Sequence, residues 1–392
     1  MFHHLGGNKP WIEKRGGMSR HGARYPTRSA GGRQIALLNR IRDANVKLNG
    51  SLSFLNNWTY FTDDPSTDFD QLTTTGSGPA TATASSKPPD TSHPGYFSGS
   101  SSPSDWQESG KATLEVIPET FDRGPDTLTP GDTCLRYLED TDHGHDYGIP
   151  MLARFQQAYI PAIAERLPTE QGNPALGPLS NAEVYSMQEM CGFETLVRGS
   201  SPWCAVFTRE DWKHLEYARD VLHYYRAGPG NPYPRVMGWL WLIATTGLLR
   251  SGPDAGTLFL MCMMEISRPF LTALKIMADP KYDPELPVPH MVSERVWRTS
   301  SVMPMGGRVV LERMTCSSGD EGARGDAGNT FLRVVINEKV TPLPYCKCGP
   351  GLSCPLVDFV GYVDRMRLEV GEFGAVCGLD GDSGQVTFLR QD

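Results

Sequence analysis

Helical segments come first along this chain and β-branched segments follow, an order that limits the folds open to it. Apolar residues recur with helical spacing in residues 33–48, 151–167, 182–196 and 209–226. Two later runs, residues 308–314 and 331–340, are rich in β-branched residues and predict strands. This mixture of spacings favours an α/β or α+β architecture.

Glycine and proline are abundant, with 41 Gly and 31 Pro among 392 residues. Such a content is typical of a loop-rich protein rather than a helical bundle, and the length suits two domains. Residues 76–105 are rich in Gly, Ser, Thr and Pro and contain almost no apolar side chains. Because a compact fold rarely contains so long a stretch of this kind, we expect a linker, a disordered loop or a degraded segment there.

Charge and hydropathy argue against two classes of partner, nucleic acid and the membrane. The formal net charge is −8 and there is no run of Lys and Arg, which argues against binding to nucleic acid. No window of about 18 residues is continuously apolar, so we expect no membrane span.

Nine cysteines are many for a cytosolic protein of this size, and Cys346, Cys348 and Cys354 lie close together. A zinc site would need further Cys or His at ligand spacing nearby, and none is there, so disulfides and an oxidising compartment are the better interpretation. The sequons Asn49-Gly-Ser and Asn57-Trp-Thr are glycosylation candidates that agree with it. The first residues of the chain lack the apolar core of a signal peptide, so no secretion signal is visible in this chain.

The octapeptide RHGARYPT, residues 20–27, combines the residue types that phosphoryl chemistry needs. The guanidinium groups of Arg20 and Arg24 match phosphate oxygens in a bidentate way and can clamp one phosphoryl group. We expect the same charges to lower the pKa of His21, which keeps a ring nitrogen unprotonated as a nucleophile in acid. The alternative is a solvated basic turn ahead of a helix.

The octapeptide resembles the signature of the histidine acid phosphatases, the family of the fungal acid phosphatases and phytases. The resemblance extends to HHLGGNKPW near the start and to residues 114–140, 187–204, 216–239 and 297–314. It implies a mixed-sheet α/β domain flanked by helices, with a smaller α-helical domain inserted into it. Residues 1–48 and 182–392 would form the discontinuous α/β domain, and residues 49–181 the inserted helical domain, including the stretch 76–105.

The resemblance also implies an activity, which is hydrolysis of phosphate monoesters at acid pH through a phosphohistidine. No metal or other cofactor takes part, and the partner is a small phosphomonoester, with phytate an open possibility. The implied location is extracellular or in the cell wall. His21 would attack phosphorus, while Arg20, Arg24 and the Thr27 hydroxyl hold the phosphoryl oxygens.

The general acid departs from the family pattern. The family places a His-Asp pair within an apolar run at a strand end after the GPGNP region. The matching pair here is Met264-Glu265, which makes Glu265 the candidate proton donor. One alternative lies in the genetic code, since residues 262–269, read one base out of frame, can spell His-Asp-Gly-Asp-Ile-Ala-Pro. We therefore hypothesise a frameshift that opens near residue 258 and closes near 269. Codons that cannot give His-Asp in the neighbouring frame would contradict it.

Two further family features are not found in the sequence. The family has an apolar strand that runs directly into the octapeptide, whereas RGGMS, residues 15–19, stands there. The family also has another phosphate-binding arginine, expected between Thr75 and Leu114, where Lys87 is the only cation of the composition break. With these features and the His-Asp pair missing, we expect the chain to be a poor catalyst.

The resemblance implies three disulfides, which use six of the nine cysteines. The implied pairs are Cys134–Cys377, Cys191–Cys204 and Cys346–Cys354. Cys316 would then lack a partner, because the family's N-terminal strand supplies it.

The sequence thus leaves three hypotheses open. The first is an acid phosphatase that acts on phosphate monoesters through His21. The second is a catalytically inactive relative that binds only phosphate or anionic ligands through Arg20 and Arg24. The third is a defective gene product that does not fold stably.

Overall fold

The protein is described from a computed structural model. The described residues are 10–73, 85–86, 112–113, 117–170, 172–252, 258–262, 264–316, 330–346, 349–379 and 385–389. The predicted composition break at 76–105 lies outside them except for Ser85–Ser86. Lys87, Cys348 and nearly all of the segment where the further arginine was expected lie outside them as well.

A six-stranded mixed sheet forms the centre of the α/β part. Its strands are β1 (Pro10–Arg20), β4 (Leu258–Cys262), β5 (Arg308–Cys316), β6 (Thr330–Ile336), β7 (Lys339–Val340) and β8 (Cys354–Pro355). The order is β4-β1-β5-β6-β7, with β8 also paired to β6. Only the β1–β4 pair is parallel. A separate two-stranded ladder pairs β2 (Ser85–Ser86) with β3 (Ala112–Thr113).

Helices surround this sheet. They are α1 (Arg28–Asp43), α2 (Pro65–Asp68), α3 (Leu135–Glu139), α4 (Gly148–Glu170), α5 (Asn181–Arg198), α6 (Arg209–Ala227), α7 (Pro234–Arg250), α8 (Met264–Ala273), α9 (Thr299–Val302), α10 (Leu356–Val370) and α11 (Phe373–Cys377). Short 3-10 turns lie at Gly50–Asn56, Phe121–Arg123, His145–Tyr147, Pro174–Leu176, Pro202–Ala205 and Pro350–Leu352. The four predicted helical segments fall within or largely overlap α1, α4, α5 and α6, and the predicted mixed α/β class is confirmed.

The N-terminal strand is a correction to the sequence analysis, which took it to be missing. β1 lies between β4 and β5 and runs directly into the octapeptide. Its polar residues have partners from the rest of the fold: the Lys14 ammonium donates to the Leu248 carbonyl, and Arg15 pairs with Glu312. Backbone pairing on both edges therefore holds a strand that lacks the apolar character of the family's strand.

The run 331–340 was predicted as one strand and is a hairpin. Asn337 and Glu338 both have positive φ, at 48° and 66°, and separate β6 from β7. Two consecutive residues in this region form the tight turn whose twist suits a two-residue hairpin.

One large apolar core joins the sheet to the helices. It includes Leu37 of α1, Phe155 of α4, Val221 of α6, Trp241 of α7 and Leu311 of β5. A smaller cluster lies around the disulfide between α3 and α11. The large core takes in residues of both predicted domains, and the boundaries at 48/49 and 181/182 stay a prediction.

Three disulfides cross-link the described part of the chain. They join Cys134 to Cys377, Cys191 to Cys204 and Cys346 to Cys354, the same pairs that the resemblance implies. The Cys134–Cys377 bond connects residues 243 positions apart, so it constrains most of the unfolded chain. Cys316 at the end of β5 is a free thiol opposite Pro10.

Two glycines of α7 predict opposite effects of the same substitution. A Cβ at Gly247 would meet no heavy atom within 4 Å, so Gly247→Ala should raise the free energy of unfolding by about 0.5–1 kcal/mol through helix propensity. A Cβ at Gly238 would lie 2.0 Å from the carbonyl oxygen of Pro269 in α8. Gly238→Ala should therefore lower the free energy of unfolding by about 1–3 kcal/mol.

Urea unfolding of both variants with the disulfides intact measures the two shifts. Shifts of the same sign would contradict the close approach of α7 and α8 that the structure describes.

Candidate active site

The octapeptide connects the end of β1 to the start of α1. Arg20 is the last residue of β1, and Thr27 caps the N-terminus of α1, where its hydroxyl oxygen accepts a hydrogen bond from the Ala30 amide at 3.2 Å. The first turn of α1 contains no acidic residue. A helix N-terminus without acidic neighbours has unpaired amides and a positive dipole end, which favour a bound anion.

One hydrogen bond shows that Nδ1 of the His21 ring carries a proton. Nδ1 lies 2.8 Å from the carbonyl oxygen of Gly22. A carbonyl can only accept, so in this contact Nδ1 carries the proton and donates it. Nε2 of the neutral ring is then left with the lone pair, and His21 is half-buried.

Backbone carbonyls orient the two arginines of the octapeptide. Arg20 is 8% exposed, and its Nη1 donates to the Met303 carbonyl at 2.9 Å. Arg24 is half-buried, and its Nη1 donates to the Tyr25 carbonyl at 2.9 Å. Each guanidinium has five N–H donors in a rigid plane, and a bond of this kind restricts its rotation.

The loop after α9 contacts the octapeptide, which the sequence analysis did not foresee. The Gly306 amide donates to the His21 carbonyl at 3.0 Å, and the Arg20 amide donates to the Gly307 carbonyl at 2.8 Å. Gly306 has a φ of 68°, a conformation that glycine adopts without strain. The loop lies in the segment 297–314 that shares the family resemblance, and this was the one available signal.

A second segment, residues 71–73, binds the octapeptide at residues 23–25. Leu72 forms a β-bridge with Arg24, and the Tyr25 amide donates to the Gln71 carbonyl at 2.9 Å. The amide and the hydroxyl of Thr73 both donate to the Ala23 carbonyl, at 3.0 and 3.1 Å. The loop that carries His21 is therefore held by backbone bonds before and after the nucleophile candidate.

The backbone places Glu265 at the same edge of the sheet as His21. In the parallel β1–β4 pair, Arg20 is in register with Cys262, the last residue of β4. Glu265 follows three positions later in the first turn of α8. The carboxyl ends of neighbouring parallel strands meet at one edge, so the topology brings Glu265 and His21 to the same end of β1 and β4. Its side chain lies outside the described part of the structure.

A buried histidine beside the octapeptide is surrounded by arginines, and sequence reasoning did not single it out. His223 of α6 is 2% exposed; its Nε2 lies 3.1 Å from Arg219 Nη2, and its Nδ1 contacts Arg268 Nη1. Burial, and then the charges of Arg268, Arg219, Arg226 and Arg20, lower the pKa of His223 well below its usual value. His223 is therefore neutral, and the surrounding potential is positive.

One carboxylate offsets part of this positive charge. Glu189 of α5 pairs with Arg33 of α1 at 2.9 Å and lies 3.6 Å from Arg219. The remaining excess of guanidinium groups suits an anionic ligand near the octapeptide. Among the described residues, no group of three His, Cys, Asp or Glu side chains could hold a metal ion.

Comparisons with known proteins identify the family of this chain. Residues 13–84 and 93–337 match the histidine phosphatase superfamily (branch 2). The phytase PHO112 of Candida albicans is 28% identical, with 96% of this chain and 86% of that protein covered. A repressible acid phosphatase of Kluyveromyces lactis is also 28% identical, with 92% and 78% covered.

A solved structure shares the fold. The crystal structure of the phytase from D. castellii has a TM-score of 0.76 and 26% identity, with 96% of this chain and 83% of that chain covered. The family match extends over most of the chain and includes the strand, loop and helix that position His21. This chain therefore belongs to the histidine phosphatase superfamily, branch 2.

Proposed function

We propose that this protein hydrolyses phosphate monoesters through a phosphohistidine on His21. The observation that carries the proposal is the 2.8 Å contact between His21 Nδ1 and the Gly22 carbonyl, because it leaves Nε2 as the ring nitrogen with a lone pair. A nucleophile at the end of a strand, held by backbone bonds on both sides, is pre-oriented for attack on a bound phosphoryl group.

In the first step, Nε2 of His21 forms a bond to phosphorus while the bond from phosphorus to the ester oxygen breaks. Arg20 and Arg24 donate hydrogen bonds to the non-bridging oxygens. The Thr27 oxygen already accepts from the Ala30 amide, so the hydroxyl proton is the part of Thr27 that faces a phosphate oxygen as a donor. Fixed positive charge around the transferring group supplies most of the catalysis in reactions of this kind.

The leaving oxygen needs a proton, and Glu265 is the proposed donor. Its backbone position after β4, at the same sheet edge as His21, supports this role. In the second step the Glu265 carboxylate takes a proton from water, whose oxygen attacks phosphorus and breaks the N–P bond. Inorganic phosphate then leaves, and both His21 and Glu265 return to their starting states.

The substrate class follows in part from the relatives, which are named as acid phosphatases and phytases. We propose small phosphate monoesters as substrates, with phytate as a candidate. The three disulfides support an extracellular or cell-wall location, since such bonds persist in oxidising compartments. No helix in the described ranges is both long and apolar enough to cross a bilayer.

His21→Ala is the first test of the proposed nucleophile. We expect loss of about 1000-fold or more of kcat for an aryl phosphate near pH 5, because the covalent intermediate can no longer form. The matched control is His290→Ala, which removes an exposed histidine and should leave kcat unchanged. Equal kcat in His21→Ala and the unsubstituted protein would contradict the proposal.

Phosphate binding and limited proteolysis separate the proposal from its two alternatives. A protein that binds inorganic phosphate but hydrolyses no ester, with binding unaffected by Glu265→Gln, would be the inactive phosphate-binding relative. Sensitivity to protease along the whole chain would indicate a chain that does not fold stably.

Glu265→Gln tests the proton donor through the leaving group. An alkyl phosphate has a basic leaving oxygen that needs protonation, whereas a nitrophenyl phosphate does not. We expect kcat/KM to fall about 100-fold for the alkyl ester and about tenfold or less for the aryl ester. Glu285→Gln, at an exposed position, is the control. Equal losses for the two esters would remove Glu265 from the donor role.

A further inference from the structure

A buried ion pair joins α6 to the segment that precedes the loop at Gly306. Asp220 is 0% exposed, and its Oδ2 accepts from Arg295 Nε at 2.6 Å. The Arg295 side chain is 2% exposed. Such a pair leaves little freedom to either side chain, because an isolated charge at this depth is costly.

Each oxygen of Asp220 has its own function. Oδ2 bonds Arg295, while Oδ1 accepts from the amide of Thr299 at 2.6 Å. Thr299 is the first residue of α9. One buried carboxylate of α6 therefore fixes both a side chain and the start of the next helix.

The Arg295 guanidinium is enclosed on its other sides. It lies 4.8 Å from the centre of the Tyr217 ring, and its Nη1 donates to the Val292 carbonyl at 2.9 Å. Its Nη2 lies 3.4 Å from Glu216, which also accepts from Ser300 at 2.8 Å. The contacts of Arg295 and Ser300 thus attach residues 292–300 to one face of α6.

This attached segment leads directly into the octapeptide contacts. α9 ends at Val302, and the next carbonyl, that of Met303, accepts from Arg20 Nη1. Four residues later the loop has also bonded the backbone of His21 and Arg20 through Gly306 and Gly307. A continuous series of contacts thus connects Asp220, through residues 299–307, to Arg20 and His21.

We propose that Asp220 and Arg295 are positioning residues that set the orientation of the Arg20 guanidinium and the His21 backbone through residues 299–307. Neither residue would touch the substrate. The predicted effect on phosphate binding rests on the proposed function. The predicted effect on the position of residues 299–307 does not. Loss of the pair shifts the Met303 carbonyl and the Gly306 amide, and with them the Arg20 guanidinium and the His21 backbone.

The test compares two ion pairs on the same helix. Asp220→Asn and Arg295→Gln are made singly and together. The control variants are Asp211→Asn and Arg166→Gln, also made singly and together. Arg166 of α4 pairs with Asp211 in the first turn of α6, where Asp211 also accepts from the Thr208 amide. Both pairs contribute to stability, so only a positioning effect distinguishes them.

The first readout is hydrogen–deuterium exchange in the folded proteins, well below the unfolding midpoint of every variant. We expect faster exchange of the Gly306 amide in Asp220→Asn and Arg295→Gln, and an unchanged rate in both control variants. Unchanged exchange at Gly306, or an equal increase in the controls, would overturn the inference.

The second readout is the affinity for inorganic phosphate by calorimetry, together with kcat/KM for an aryl phosphate. Misplaced donors should weaken phosphate binding about tenfold and lower kcat/KM about 10–100-fold, whereas the control pair should change neither. We also expect the loss of kcat/KM in the double variant Asp220→Asn with Arg295→Gln to be smaller than the two single-variant losses combined. In the double variant no buried charge is left without its partner.

The two proposals fail in different ways. If the unsubstituted protein neither binds phosphate nor hydrolyses esters, the proposed function is contradicted, and exchange at Gly306 alone then decides the inference. If the unsubstituted protein is active and Asp220→Asn keeps its phosphate affinity and kcat/KM, the positioning role is refuted while the proposed function stands.

Discussion

The pairing of β1 on both of its edges is the constraint on which the site depends. β4 binds one edge in parallel and β5 binds the other in antiparallel orientation, so the position of Arg20 is set by two neighbours at once. The chain then leaves the sheet as the octapeptide and enters α1 at Thr27. Because β4 runs parallel to β1, the residues after both strands lie at one edge, and that edge is where nucleophile and proposed acid belong.

Charge makes the same region suitable for an anion. His223 is neutral because burial and the nearby arginines lower its pKa, so it adds no further positive charge to the cluster. Glu189 balances only part of the guanidinium charge. We propose that a dianionic phosphoryl group balances the remaining positive charge, because guanidinium groups bind phosphate oxygens through charge-assisted hydrogen bonds.

Local sequence predicted the parts of this site that are contiguous. The octapeptide, the helix after it and the mixed α/β class were accessible because their signals lie within a few residues or in a family resemblance. β1 was missed because its contacts are distant in sequence. Arg15 pairs with Glu312, which lies 297 positions later, and no local pattern contains that contact. The turn at Asn337 and Glu338 was missed because neither residue is glycine, although both adopt positive φ.

Long-range contacts explain the other omissions. Asp220 and Thr299 are 79 positions apart, and each is an ordinary residue in its own segment. The pKa of His223 is lowered by burial and by nearby arginines such as Arg268, which comes from another helix. Glu265 remains the candidate acid by position, and the hypothesis of a frameshift across residues 258–269 remains a matter for the nucleotide sequence.

The central claim is that a phosphoryl group is carried by Nε2 of His21. The most direct measurement is to mix the protein with an aryl phosphate, quench in alkali within milliseconds, and locate the phosphoryl group by mass spectrometry and phosphorus NMR of the isolated peptide. We predict a phosphoramidate on His21 at Nε2, since Nδ1 is engaged with the Gly22 carbonyl. A phosphoryl group on Nδ1 or on another residue, or its absence during rapid turnover, would contradict it.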